Sequence, residues 1–188
     1  MNNKVKNIVG IGLFSAIVVV LQLIFGNVTI GGTPINPVLV PVVVGAAVYG
    51  WKAGAWLGLV SGISILATGA AAFFMGFHVA GTIITVLIKG AASGLAAGLA
   101  YQLLHRKSTV LAVFAAAIVC PLVNTGIFLL GCWVFFLKDL AAMANGSNVF
   151  VFILTAFVGI NIFVELGLNV ILSPAITRLI RFEKKETV

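Results

Sequence analysis

Apolar runs follow one another from Val5 to Ile176 with charges almost confined to the gaps between them, and that alternation leaves few folds open. A bilayer core takes about 20 apolar residues to cross, and within it every backbone polar group must be bonded internally, as a helix does within itself. The composition removes the soluble alternative: 62% of residues are hydrophobic and 8% charged, against roughly 25% charged in soluble domains. We therefore expect an all-α integral membrane protein, one membrane domain over residues 1–188 built as a single bundle of six transmembrane helices.

Turn residues punctuate the runs and place the spans near 5–25, 37–50, 54–70, 78–104, 110–137 and 149–176. The second and third are shorter than a full crossing, and Lys52 is read as marking the turn between them. Lys4 and Lys6 before an apolar run imitate a signal peptide, but no small-residue cleavage site precedes a soluble body, so the first segment is expected to be a retained helix.

The net charge is +7. Basic residues interleaved with exposed aromatics would suggest nucleic acid; here they punctuate hydrophobic segments, and no nucleic-acid partner is expected. Lys4, Lys6, Lys52, Arg106, Lys107, Arg178, Arg181, Lys184 and Lys185 fall on one face of a six-span arrangement, and Lys138 alone on the other. Cytoplasmic loops are enriched in Lys and Arg, so both termini are expected in the cytoplasm. The loops at 26–36, 71–77 and 138–148 then face outward.

Several chemistries have no residues to perform them. The chain has four acidic residues and lacks a phosphate-binding loop, a His-Glu-x-x-His zinc motif and a Gly-x-Ser-x-Gly elbow, so catalysis and ATP hydrolysis are not expected on it. Cys120 and Cys132 lie inside one apolar run without metal-ligand spacing, which points to buried thiols and no metal site.

Two patterns inside the apolar runs carry information. Gly54, Gly58 and Gly62 on the third span, and Gly90, Gly94 and Gly98 on the fourth, each make a smooth helix face suited to close packing. Gly12 and Ala16 repeat the pattern more weakly on the first span, a candidate docking face for another membrane subunit. Ionisable groups at depth are costly and mark function or pairing. Lys89 lies about eleven residues into the fourth span and Glu165 about sixteen into the sixth, roughly 16 and 24 Å along their helices. They pair with each other, face a solvated pocket, or do both. Asn161, Glu165 and Asn169 share one slowly rotating face. Pro121 precedes Asn124 and Thr125 in the fifth span, where a helix-distorting proline beside an amide and a hydroxyl suggests a pocket. His78 sits at the mouth of the fourth span and Asn36 in the first outer loop.

These features resemble the substrate-binding S components of energy-coupling factor (ECF) transporters, the vitamin uptake systems of prokaryotes. The resemblance is carried by Pro34-Ile35-Asn36-Pro37-Val38-Leu39-Val40-Pro41 leading into the second helix, by Tyr49-Gly50-Trp51-Lys52-Ala53-Gly54-Ala55-Trp56-Leu57-Gly58, and by the small residues of the first helix. It implies a plasma-membrane subunit that binds a vitamin in an outward pocket between its fourth, fifth and sixth helices, beneath the first and third outer loops. It also implies docking through the first helix, at Gly12 and Ala16, onto a transmembrane coupling subunit. Two ATPase subunits would use the ATP, and this chain would carry no cofactor. Cys120-Pro121-Leu122-Val123-Asn124-Thr125-Gly126-Ile127 is most similar to pantothenate-type members. Pantothenate would offer a carboxylate to Lys89 and hydroxyls and an amide to the asparagines. Riboflavin, folate, thiamine or a queuosine precursor would share the scaffold, a flat ring leaning on Trp133, Phe73, Phe74 or Phe135. A membrane scaffold without its own ligand is the rival reading.

Overall fold

The computed structural model describes the backbone of residues 3–26, 29–30, 33–34, 37–146 and 148–186. The chain is helical almost throughout. Helix α1 (Asn3–Phe25) is followed by a two-residue antiparallel ladder, β1 (Thr29–Ile30) with β2 (Thr33–Pro34), where the sequence suggested only a turn-rich loop. Then come α2 (Leu39–Tyr49), α3 (Trp51–Ala67), the short α4 (Ala72–Met75), α5 (Val79–Leu104) and α6 (Thr109–Phe135). The chain finishes with α7 (Leu137–Met143), α8 (Val149–Ile153), a π-helical turn (Leu154–Val158) and α9 (Gly159–Glu186).

Among the described residues, Lys4–Phe25, Val79–Leu104 and Thr109–Phe135 are long and apolar enough to cross a bilayer. Val149–Val158 and Ile162–Pro174 meet at 43° and make a fourth crossing when taken as one broken span. Helices α2 and α3 are apolar but have 11 and 17 residues, about 16 and 25 Å long. The sequence leads one to expect six spans, the second and third short of a full crossing; among the described residues the structure has three long enough to cross, a broken fourth and these two shorter helices.

Burial explains the shortness of α2. Leu39, Val42, Val43, Val44, Gly45, Ala46 and Ala47 are all buried, and the helix is enclosed by α1, α3, α5, α6 and α9. A helix apolar on every side fits such a central position, and being surrounded by protein it need not match the thickness of the lipid. Lys52 does not mark the turn after it. Gly50, at φ +90°, makes that turn in a backbone region only glycine enters freely, so helix resumes at Trp51 and Lys52 lies in its first turn. Helix α6 likewise continues through Pro121 to Phe135.

The glycine faces pack inside the molecule. A Cβ on Gly58 would meet the Gly90 carbonyl, one on Gly54 the Gly94 carbonyl, and one on Gly62 the Val86 carbonyl at 2.9 Å. The descending register is that of two antiparallel helices, α3 and α5, in backbone-to-backbone contact. Gly98 completes the row against the backbone of Trp51. By contrast, α1 packs on α2 and α3 along one side and leaves Ile8, Val9, Leu13 and Leu23 exposed on the other.

Candidate functional site

The π-helical turn, the α4 connection and helices α1, α3, α5, α6 and α9 surround a cavity of about 340 Å³. Its polar wall is Gln22 from α1, Thr82, Thr85 and Lys89 from α5, Asn124 and Thr125 from α6, and Glu165 from α9. Its apolar wall is aromatic: Phe73, Phe74, Phe128, Phe136 and Phe157.

Local sequence places each group. Thr82, Thr85 and Lys89 recur at spacings of three and four, which puts them on one face of α5. That helix starts at His78, whose Nδ1 accepts a hydrogen bond from the Gly81 amide at 2.9 Å and so caps an otherwise unpaired donor. His78 is exposed, stacks obliquely on Phe135 at 5.9 Å, and does not line the cavity. The Thr82 hydroxyl donates to the His78 carbonyl at 2.9 Å.

Lys89 and Glu165, the two ionisable residues expected at depth, line the same cavity and interact electrostatically. The Lys89 ammonium also stands 5.4 Å from the centroid of the Phe128 ring. Glu165 is 1% exposed. One turn further on, Asn169 is equally buried, and its Nδ2 donates to the Glu165 carbonyl at 2.8 Å, tying the two positions together. Ser173 and Thr177 continue the row, each donating to a carbonyl four residues earlier at 2.8 Å. Asn36 and the side chain of Asn161 lie outside the described residues.

The aromatic wall is a connected set. Phe74 touches Phe128, Phe136 and Phe157 at centroid distances of 5.4, 5.2 and 5.3 Å, and Phe73 meets Phe157 at 5.7 Å. Edge-to-face and tilted pairs at these distances add to simple burial. Of the aromatics considered for stacking, Phe73 and Phe74 line the cavity, whereas Trp133 and Phe135 do not.

Sequence reasoning missed Gln22, Thr82, Thr85, Phe128, Phe136 and Phe157. The threonines were within its reach, being one and two turns before Lys89 on the same face. The first span holds two amides, Asn7 near its start and Gln22 within the apolar run that follows. Among the described residues no group of three or more His, Cys, Asp or Glu side chains is placed to hold a metal ion, and Cys120 and Cys132 are buried and free.

Such a site suits capture of a small polar molecule: a primary ammonium, amide and hydroxyl donors, a carboxylate and an aromatic wall in one pocket. The family model for the ECF transporter substrate-specific component matches residues 6–177, and the chain belongs to that family. No curated protein and no solved structure matches it. Members are integral membrane proteins and transport subunits rather than enzymes, and they work on a small-molecule substrate in partnership with an ECF module.

Proposed function

We propose that this S component captures a small water-soluble vitamin bearing a carboxylate, with pantothenate the first candidate, and delivers it across a prokaryotic plasma membrane. The observation that carries the reading is Lys89 lining the cavity together with Asn124, Thr125 and Glu165. An ammonium offers three donors to a carboxylate, and neutral amide and hydroxyl groups suit the hydroxyls and amide of such a vitamin. Glu165 holds Lys89 in place or accepts a hydrogen bond from a hydroxyl or amide N–H of the ligand. Asn161 and Asn36 are further candidate contacts, from the sixth span and the first outer loop.

In this reading both termini face the cytoplasm and the vitamin enters from outside. Transport is alternating access driven by two ATPase subunits on other chains, with no cofactor on this one. The exposed Gly12 and Ala16 on α1, where a Cβ added to Gly12 would meet nothing within 4 Å, form the docking face for the coupling subunit.

The five phenylalanines favour a second reading, a flat-ring vitamin such as riboflavin, folate, thiamine or a queuosine precursor. Equilibrium binding of a vitamin panel to the purified protein in detergent decides between them. Pantothenate binding supports the first reading and ring-vitamin binding the second. No member binding more tightly than about 1 mM would sink both.

A further inference from the structure

One polar group in the cavity wall comes from α1, away from the helices expected to hold the ligand. Gln22 is 2% exposed and lines the cavity beside Gly26. Its neighbours Val20, Leu21, Leu23 and Ile24 are all apolar. A buried amide in such a helix is costly unless its groups are bonded.

Among the described residues only half of this amide is bonded. Nε2 donates to Thr68 Oγ1 at 3.5 Å, while the Thr68 hydroxyl donates its own proton to the Ser64 carbonyl at 2.9 Å. Thr68 Oγ1 is therefore left as an acceptor, which settles which end of the amide faces it. Among the described residues no donor meets Gln22 Oε1. Thr85, in the wall of the same cavity, repeats the situation: it is 5% exposed, and its Oγ1 has no partner among the described residues. Buried polar atoms without partners are rare enough to need a cause. Tyr101 Oη and Asn169 Oδ1 share this state away from the cavity, whereas Gln22 and Thr85 both line the cavity that also holds Lys89 and Asn124.

We infer that Gln22 is a solute-contacting, specificity-determining residue: its Oε1 accepts a hydrogen bond from a hydroxyl or amide N–H of the carried molecule. The terminal torsion of a glutamine is soft, so the oxygen turns to the ligand without moving α1. The solute then has an anionic end for Lys89 and at least one neutral donor for Gln22. The inference rests on the substrate-capture reading above and deepens it.

The test pairs protein variants with ligand variants. Binding of radiolabelled pantothenate, riboflavin, folate and thiamine to the purified full-length protein identifies the solute. Gln22→Leu and Gln22→Asn are then compared with the unsubstituted protein for that solute and for an analogue with its donor methylated, with thermal unfolding measured alongside. We expect Gln22→Leu to bind at least about tenfold more weakly at an unchanged melting temperature, and the analogue to be bound equally with or without the substitution. Gln22→Asn, which keeps the amide but withdraws it by one methylene, is expected to weaken binding in the same direction and serves if Gln22→Leu fails to fold. Unchanged affinity in the folded variants, or an analogue that still distinguishes the two proteins, overturns the Gln22 contact and leaves the capture reading standing. Failure of all four solutes to bind the unsubstituted protein overturns both.

Discussion

The Lys89 ammonium rests 5.4 Å from the centre of the Phe128 ring, so a charge from α5 is steadied by an aromatic face from α6. Such a contact is worth about 0.5–2 kcal/mol, more when shielded from water. Phe128→Leu is expected to weaken vitamin binding roughly 3- to 30-fold by loosening the ammonium. Lys89→Ala removes a charged hydrogen bond and is expected to cost about 10- to 100-fold, with Lys89→Arg intermediate. Equilibrium binding in detergent reads all three. Unchanged affinity in both Lys89 variants would reduce the lysine to a structural partner of Glu165.

Gly90→Ala forces a methyl into the Gly58 carbonyl, and backbone cannot rotate out of the way as a side chain can. Overpacking of this kind costs about 1–3 kcal/mol. At Gly126 a Cβ would meet nothing within 4 Å, so Gly126→Ala is expected to leave thermal stability unchanged or raise it, alanine being favoured over glycine in helices by about 1 kcal/mol. Melting temperatures of the two variants should therefore move apart.

His78→Ala removes the cap of α5 and is expected to cost about 0.5–2 kcal/mol of stability, with His78→Asn recovering most of it. Vitamin affinity should stay within about twofold, since a cap outside the cavity contributes to folding and not to binding. A large affinity loss at unchanged stability would return His78 to the ligand site.

Gly12→Trp combined with Ala16→Trp places two bulky side chains on an exposed stretch of α1. Stability and vitamin binding in detergent are expected to be unaltered. Uptake by cells that co-express the coupling module should be lost if that surface is the docking face. Normal uptake would move docking elsewhere.

Membrane orientation is checked by single cysteines in a background with Cys120 and Cys132 replaced by serine. Lys107→Cys is expected to react with a membrane-impermeant thiol reagent only from the cytoplasmic side, and Ala142→Cys only from outside. The reverse pattern would invert the orientation.

What the sequence revealed divides along physical lines. Helix positions were legible because lipid demands long apolar runs and glycine punctuates them: Gly50 lies between α2 and α3, although Lys52 was mistaken for the turn. Lys89, Asn124, Thr125 and Glu165 were legible as candidates because a polar group at depth is costly wherever it stands. The aromatic wall was not legible, since Phe128 and Phe157 look like any lipid-facing residue until the fold sets them against Phe74. The same holds for the helix α7 between α6 and α8 and the π-helical turn that breaks the last span. Seven residues and a single extra residue per turn leave no clear periodicity to detect.

The glycine row between α3 and α5 also sets the two walls of the cavity apart. With Gly54, Gly58, Gly90 and Gly94 in backbone contact, the two helices brace one another, and Lys89 stands beside Gly90 on one of them. The opposite side is jointed: the π-helical turn carrying Phe157 meets α9 across a 43° bend. A molecule held between them therefore lies between a braced wall that carries Lys89 and a bent one that carries Phe157 and Glu165.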